Sequence, residues 1–456
     1  MKAIILAAGA GKRMKSDFPK VLHTIVGKPM LHCVIDTCIA AGIDDITVVI
    51  GKNGDEIIKA TDRPVNFVWQ NEQLGTGHAV MCAKDSIDPD DKVVVLNGDA
   101  PLVTSGFLRG LMEFQLEKDA HGVVVATNVP DPTGYGRVMT NEHGDFSAIV
   151  EQRDLHLDGG SDNNCIYTGI LMANGRELLY ALEHVDNKNN QSEYYITDVP
   201  LIMKEDGFNV EIYNDPDYLQ FLGVNSQRQL AEAGLVFRDR ILDAHFENGV
   251  VIVDPSSVYI DMDVEISPRV IIHPGTSIFG NTRIKEGAQI GPYTQITNSV
   301  IGSGTVVRNS VLETVHVGSN CQIGPFAYLR PGTVIGNRCR VGNFVEVKNA
   351  KLGDDTTAAH LAYIGDAQIG KGVNFGCGAI TVNYDGESKH VTVVEDNAFI
   401  GSNANLIAPV TVHSGAFIAA GSTIDKEVPA GTLAIARERQ TNKEGFASKY
   451  KARSDE

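Results

Sequence analysis

The chain lacks the features that would tie it to an oxidising compartment, a membrane or a nucleic acid. Its seven cysteines (Cys33, Cys38, Cys82, Cys165, Cys321, Cys339 and Cys377) are odd in number and form no C-x-x-C pair, which argues against a disulfide framework or a zinc site and suits a reducing cytoplasm. No apolar run reaches the ~20 residues needed to cross a bilayer. Met1-Lys2 followed by Ala3 to Gly9 resembles a short signal peptide, but the run stops there and Lys12, Arg13 and Lys15 follow, so a buried first strand entering a loop explains it better. Positive charge is also missing. The formal net charge of -18 leaves no global field to hold nucleic acid or an anionic membrane, although phosphates can still be bound locally.

With 456 residues, the chain is long enough for two domains, each with its own core. From residue 3 to about 225, short β-branched runs alternate with longer amphipathic ones, the pattern of parallel strands and crossover helices in an α/β domain. The predicted strands are Ala3 to Ala7, Asp45 to Ile50, Val65 to Trp69, Lys92 to Leu96 and Val123 to Thr127, with a helix from Pro29 to Ala41 between the first two. Residues 226 to about 246, charge-rich and free of proline, read as a long helix, giving domains at 1–225 and 249–456 with a linker at 226–248.

After Gly249 aliphatic residues recur every six positions. One run is Ile266, Ile272, Ile278, Ile284, Ile290 and Ile296; a second is Val317, Ile323, Leu329, Ile335 and Val341; a third is Val394, Ile400, Leu406, Val412, Ile418 and Ile424. This period fits a parallel β-helix whose flat faces each take one hexapeptide, the aliphatic residue pointing inward and glycine or asparagine turning the corner. The longest interruption, Val382 to Val393, holds Asn383-Tyr384-Asp385-Gly386 and the charged residues Glu387, Lys389 and His390, and reads as a functional loop. The tail from Arg437 is polar with mixed charge, either disordered or packed on a neighbouring subunit.

The first strand ends in Leu6-Ala7-Ala8-Gly9-Ala10-Gly11-Lys12-Arg13-Met14, a glycine-rich turn that lets backbone N–H groups approach phosphate beside two cations. Arg13 follows Lys12 where a Walker loop needs Ser or Thr, and Met14 stands at the third glycine of a dinucleotide fingerprint, so the turn is neither. Alone it says little. Together with Pro19-Lys20, Gln70, Glu72 to Ala79 (EQLGTGHA), Leu96 to Asp99 (LNGD), Gly134 to Arg137 (GYGR) and Glu193 to Asp198 (EYYITD), it resembles the sugar-1-phosphate nucleotidyltransferases. Over nearly the whole chain the wording is similar to the bacterial bifunctional N-acetylglucosamine-1-phosphate uridylyltransferases, whose second half is a left-handed β-helix acetyltransferase.

That resemblance implies a Rossmann-like uridylyltransferase joined to an acetyltransferase, making UDP-N-acetylglucosamine for peptidoglycan and other envelope precursors. In the first domain, Leu6, Ala7, Gly9, Lys20, Gln70, Gln73, Gly75 and Thr76 would bind UTP, and Gly136, Glu151, Tyr167 and Asn225 would complete the UDP-sugar site. Asp99 and Asn225 would bind Mg²⁺, and Arg13 and Lys20 would neutralise the phosphates by electrostatics. In the second domain His360 would be the general base for the amino group of glucosamine 1-phosphate, with Arg330, Lys348, Tyr363, Asn374 and Lys389 around the sugar phosphate. Asn383, Tyr384, Ser402, Ala420 and Arg437 would lie along acetyl-CoA, and a homotrimer would place the sites between subunits.

Four positions depart from the family pattern: Tyr167 where Asn is usual, Lys12 for Thr or Ser, Ala362 for Thr and Cys377 for Ala. They leave two competing readings, a glucose- or mannose-1-phosphate nucleotidyltransferase with a purely structural β-helix, and a scaffold with degenerate sites. The clustering of His360, Lys348 and Tyr363 and the intact Arg13, Lys20, Asp99 and Asn225 set weigh against both.

Overall fold

The computed structural model describes residues 1–448 other than 10, 153, 156–162 and 190; the side chain of Lys12 and the last part of the polar tail lie outside the described residues. The chain divides into two compact units, Met1–Arg240 and Ile241–Glu456, and the division falls within the helix Gln227–Glu247.

The first unit is built on a nine-stranded sheet. Its main path runs Val210–Asn214, Gly122–Asn128, Cys165–Asn174, Lys92–Asn97, Lys2–Leu6, Asp45–Ile50, Asn66–Trp69. Burial on both faces accounts for the Val- and Ile-rich strands: Ala3 and Ile5 belong to the apolar core on one side of the sheet, and Ile4, between them, to the core on the other. Helix Met30–Ala40 adds Leu31, Val34, Ile35 and Cys38 to the first core, and helix Ser105–Glu117 adds Phe107, Leu108 and Leu111. The latter helix is capped by Thr104, whose hydroxyl accepts from the Phe107 N–H at 3.2 Å.

The sheet differs in one respect from the all-parallel pattern expected of the alternating elements. Cys165–Asn174 runs antiparallel to both of its neighbours. The chain reaches it through an antiparallel hairpin, Arg137–Thr140 with Phe146–Val150, so it enters the sheet from the opposite end to the crossover-linked strands.

The second unit is a parallel β-helix of three sheets with eleven, ten and nine strands, the architecture of a left-handed hexapeptide-repeat solenoid. Equivalent residues pair between successive coils: Ile272 with Ile290, Ile290 with Val307, Val307 with Ile323, Ile323 with Val341. Every aliphatic residue of the three six-residue runs points into this core and is no more than 5% exposed. Coils approach so closely at one corner that glycine is required, since a Cβ on Gly353 would stand 2.6 Å from the Gly370 carbonyl carbon. Between strands Ile380–Val382 and Thr392–Val394 the chain leaves the solenoid, and a bridge between Tyr384 and Lys389 closes this loop. No helix among the described residues is long and apolar enough to cross a membrane.

Because each inward residue is packed by the coils above and below, Ile335→Ala, at a fully buried site, is expected to cost about 2–5 kcal/mol. Chemical denaturation of the full chain should show this loss in the transition of the second unit, with the first unit's transition in place.

Candidate active sites

The parallel strands of the first unit end at one edge, where a cavity of about 510 Å³ opens. The end of strand Lys2–Leu6 and the segment after it supply Leu6, Ala7, Gly9 and Arg13, and the short 3₁₀ turn Lys20–Leu22 supplies Lys20. Gln70 follows strand Asn66–Trp69, while Gly75 precedes helix Thr76–Cys82. Asp99 follows strand Lys92–Asn97, and Asn225 precedes the long helix. Gln73, Gly136, Glu151 and Tyr167 complete the set, so every residue expected at the nucleotide and sugar sites lines this one cavity. Gly75 has φ +112°, and a Cβ there would collide with the backbone carbonyl of Tyr194, which fixes glycine at the position.

The cations and oxygens are organised around Asn225. Its Oδ1 accepts from Arg13 Nη2 at 2.9 Å and from Lys20 Nζ at 3.0 Å, and the Lys20 ammonium also pairs closely with Asp99 Oδ2. Asp99 and Asn225 therefore direct two oxygens at a single point that a positive charge already occupies. Two oxygens suit a hard divalent cation that keeps waters and takes further ligands from phosphate. Among the described residues no group of three or more His, Cys, Asp or Glu side chains forms a denser metal cage.

The end of the cavity around Glu151 and Tyr167 is more buried. Burial pushes the Glu151 carboxyl above the ordinary glutamate value, and Thr197 Oγ1 donates to its Oε1 at 3.2 Å. Tyr167 is 6% exposed and its hydroxyl has no partner among the described residues. Burial and the adjacent Glu151 raise its phenol well above the usual tyrosine range.

In the second unit the expected residues fall on two outer surfaces and the corner between them. Register places Asn343 beside His360 on neighbouring strands. Backbone hydrogen bonds continue this corner from Leu361 O to Gly378 N, from Cys377 O to Asn403 N and from Ser402 O to Gly421 N, so that His360, Cys377, Ser402 and Ala420 follow one another coil by coil. Arg437 lies next in the chain beyond the last strand, with its side chain near Gly421. Asn374 is on the same sheet as His360, on the strand paired with Thr357–His360. The adjoining sheet carries Arg330, Lys348 and Tyr363, with Lys348 in register with Gly365. Arg330 is held by Glu346 at 2.8 Å.

The loop brings Asn383 and Lys389 to this surface, while Tyr384 stays exposed on the loop with its hydroxyl bonded to Gly386 O at 2.5 Å. Asp366 anchors the arrangement, accepting from Asn349 Nδ2 at 2.6 Å and from Asn383 Nδ2. Burial pushes its carboxyl up, but these bonds and the charges of Lys348 and Lys389 outweigh it and the net shift is downward. Lys389 is held below the ordinary lysine value, first by its side-chain contact with Lys348 and then by that neighbour's charge, so the two ammonium groups stand side by side. His360 Nδ1 lies 2.7 Å from Asn343 Oδ1. An amide oxygen only accepts, so Nδ1 carries a proton, and in the neutral ring the lone pair is on Nε2.

Residues 3–188 match the MobA-like NTP transferase domain, and residues 314–349 and 392–426 match the bacterial transferase hexapeptide repeats. Proteins named Bifunctional protein GlmU match over almost the full length. The one from Clostridioides difficile is 46% identical over 455 residues, covering 100% of this chain and 99% of that protein. That from Clostridium botulinum strain ATCC 19397 is 48% identical over 449 residues, with 98% of each chain covered, and that from Alkaliphilus metalliredigens is 45% identical over 449 residues at the same coverage. The chain belongs to the GlmU family. It is a bifunctional enzyme of UDP-N-acetylglucosamine synthesis, with a nucleotidyltransferase domain followed by a hexapeptide acetyltransferase.

Of the four departures from the GlmU pattern, Tyr167 lines the nucleotide cavity, Cys377 is exposed beside His360 on the corner row, and Ala362 is buried in the solenoid at 5% exposure. The side chain of Lys12 lies outside the described residues. Sequence reasoning did not single out Asn343, Asp366, Asn97 or Tyr135. Asn343 had a usable signal, since it precedes His360 by one coil of the repeat. Asn97 stood within the LNGD motif without a role of its own, and its side chain passes where Gly169, at φ +84°, leaves room.

Asp198, at the end of the EYYITD motif, is pushed up to about 6 by burial and by Asp186, Glu151 and Asp154. Its folded value lies above its unfolded one, so ionising it costs stability: the cost is absent below about pH 4, grows up to about pH 6 and is complete above that. Asp198→Asn is therefore expected to raise the melting temperature of the first unit above pH 6, with the difference vanishing towards pH 4 in thermal denaturation of the full chain.

Proposed function

We propose that the second unit transfers the acetyl group of acetyl-CoA to glucosamine 1-phosphate, and that the first unit then transfers UMP from UTP to the resulting N-acetylglucosamine 1-phosphate. The observation that carries the uridylyltransferase assignment is the convergence of Arg13, Lys20, Asp99 and Asn225 with Gln70, Gly75 and Thr76 in one cavity. A phosphate oxygen of the sugar attacks the α-phosphorus of UTP, a new P–O bond forms, and the bond to the β-phosphate breaks with release of pyrophosphate. Two polyanions must meet for this, and Arg13 and Lys20, which line the cavity, oppose their repulsion. Asp99 and Asn225 would hold Mg²⁺, which supplies further neutralisation of phosphate charge when bound. Gly136, Glu151 and Tyr167 surround the sugar, and Leu6, Ala7, Gly9 and Gln73 complete the nucleotide pocket.

For acetyl transfer, the amine of glucosamine 1-phosphate attacks the thioester carbonyl while His360 Nε2 accepts its proton; the C–N bond forms, the C–S bond breaks and coenzyme A leaves as the thiol. Asn343 fixes the tautomer that makes Nε2 the base. Arg330, Lys348 and Lys389 receive the sugar phosphate beside Tyr363 and Asn374. Acetyl-CoA follows the corner row past Asn383, Tyr384, Ser402 and Ala420, with Arg437 at its phosphates. The stacked and exposed pairs Phe326–Phe344 and Phe399–Phe417 support a homotrimer, since single coils gain by covering such apolar surface. Free cysteines and small phosphorylated substrates fit a cytoplasmic enzyme.

His360→Ala is expected to lower acetyl transfer by roughly 10²–10⁴-fold and leave pyrophosphate release from UTP and preformed N-acetylglucosamine 1-phosphate unchanged. Asp99→Ala should do the reverse. Free thiol and pyrophosphate, followed separately, test both, and loss of the two activities in either variant would overturn the two-site assignment. Asn343→Ala should slow acetyl transfer about tenfold or more, less than loss of the base itself, because the imidazole can still reach the productive tautomer for part of the time.

A further inference from the structure

We propose that Asp366 is a positioning residue for acetyl transfer: its carboxylate docks the loop after Val382 on the solenoid and counters the repulsion between Lys348 and Lys389, so that both ammonium groups can meet the sugar phosphate. The proposal rests on the reading of these lysines as a phosphate site. Asp366 stands at the corner between strands Tyr363–Gly365 and Ala367–Ile369 and is 7% exposed. Its Oδ1 accepts from Asn349 Nδ2 on the preceding coil at 2.6 Å, and its Oδ2 accepts from Asn383 Nδ2 on the following one. The backbone is used as well, since the Thr392 N–H donates to Asp366 O at 3.1 Å. One residue thus holds both ends of the loop, Asn383 where it leaves the solenoid and Thr392 where it returns. The Asp366 N–H donates to Lys348 O at 3.0 Å, which ties the same residue to the strand that carries the first lysine.

The corner itself does not need a charge. Asp366 has φ +47°, and asparagine meets the same left-handed demand at Asn298, Asn320, Asn349 and Asn403. Where aspartate takes such a corner instead, it faces a cation: Asp355, at φ +62°, pairs with Arg338 at 2.7 Å. Asp366 faces two, Lys348 and Lys389. The Lys389 ammonium in turn is faced by Lys348, Asp366 and Tyr363. Two ammonium groups side by side repel, and the repulsion acts to push the loop off the strand beneath it. A carboxylate bonded to the loop and close to both cations opposes that push and favours the charged form of each. Asparagine at 366 would offer one acceptor oxygen to two amide donors and would leave the repulsion unopposed.

The test follows acetyl transfer by the full-length enzyme, as thiol released at saturating acetyl-CoA, against glucosamine 1-phosphate concentration and pH. Asp366→Asn keeps the size and the left-handed backbone and removes the charge. Its KM for glucosamine 1-phosphate is expected to rise roughly tenfold or more, with kcat near the parent value. Without the carboxylate, Lys389 gives up its proton at lower pH, so the alkaline rise in KM should begin at lower pH than in the parent. Lys389→Ala separates the two levels of the argument. If Lys389→Ala leaves KM unchanged, that lysine does not receive the phosphate and the underlying site reading fails. If Lys389→Ala raises KM while Asp366→Asn keeps the parent KM and pH dependence, the lysines bind phosphate without Asp366 and the proposal is overturned. In the double variant Asp366→Asn should add less to KM than it does in the parent, and full additivity would show that it acts elsewhere. A fall in kcat at unchanged KM, or an equal fall in acetyl transfer and in uridylyl transfer to preformed N-acetylglucosamine 1-phosphate, also overturns the proposal, because that is the effect of a merely structural residue.

Discussion

Parallel backbone hydrogen bonding in fixed register is the constraint on which both halves of the chain depend. In the first unit it makes Lys2–Leu6, Asp45–Ile50, Asn66–Trp69 and Lys92–Asn97 end at the same edge, so loops far apart in sequence deliver Gly9, Gln70 and Asp99 to one cavity. In the second it stacks each coil on the one before, so that residues one coil apart become neighbours, as with Asn343 and His360. A slip of one residue in the solenoid ladder would turn its inward aliphatic face outward, and a slip in either ladder would break up the functional rows. Packing and chemistry are therefore specified by the same bonds.

Departures from that regularity coincide with the candidate sites. The antiparallel strand Cys165–Asn174 begins at the edge where the parallel strands end, which places Tyr167 at the cavity. Between Tyr167 and Leu171 its register shifts, and Gly169 takes a left-handed conformation there. Such a bulge costs pairing but redirects a side chain, and it lets Asn97 pass where a Cβ would block it. In the solenoid the corresponding break is the loop after Val382, which leaves the ladder, bonds to Asp366 through Asn383 and returns at Thr392. The excursion brings the Lys389 ammonium beside that of Lys348.

Much of this was legible in the sequence because the governing periods are short. A two-residue alternation or a continuous β-branched run marks Asp45–Ile50, whose bounds agree with the reading, and the six-residue period marks the inward isoleucines from Ile266 to Ile296. The antiparallel strand was not legible as such, since strand direction depends on how the preceding hairpin enters the sheet and leaves no trace in local composition. The family resemblance brought Lys20, Asp99 and Asn225 together, but it could not reveal that Asn225 is the acceptor shared by Arg13 and Lys20. Nor does any motif announce Asp366, whose role comes from two asparagines on neighbouring coils.

The charges of the nucleotide cavity form a gradient that follows from these contacts. Asn225 is neutral, so Arg13 is oriented by its oxygen without being neutralised, and only Lys20 faces a carboxylate, that of Asp99. At the other end, burial biases Glu151 towards its protonated form, and Tyr167 keeps its proton for the same reason. Positive potential is therefore concentrated at the Arg13 and Lys20 end of the cavity, away from Glu151. A ligand with an anionic and an uncharged end has only one favourable orientation in such a field. That orientation brings the phosphates to Arg13 and Lys20 and leaves the hydroxyl-bearing end among hydrogen-bonding groups. On the proposed assignment, the same two cations that would oppose repulsion between the substrates would also set which way round they bind.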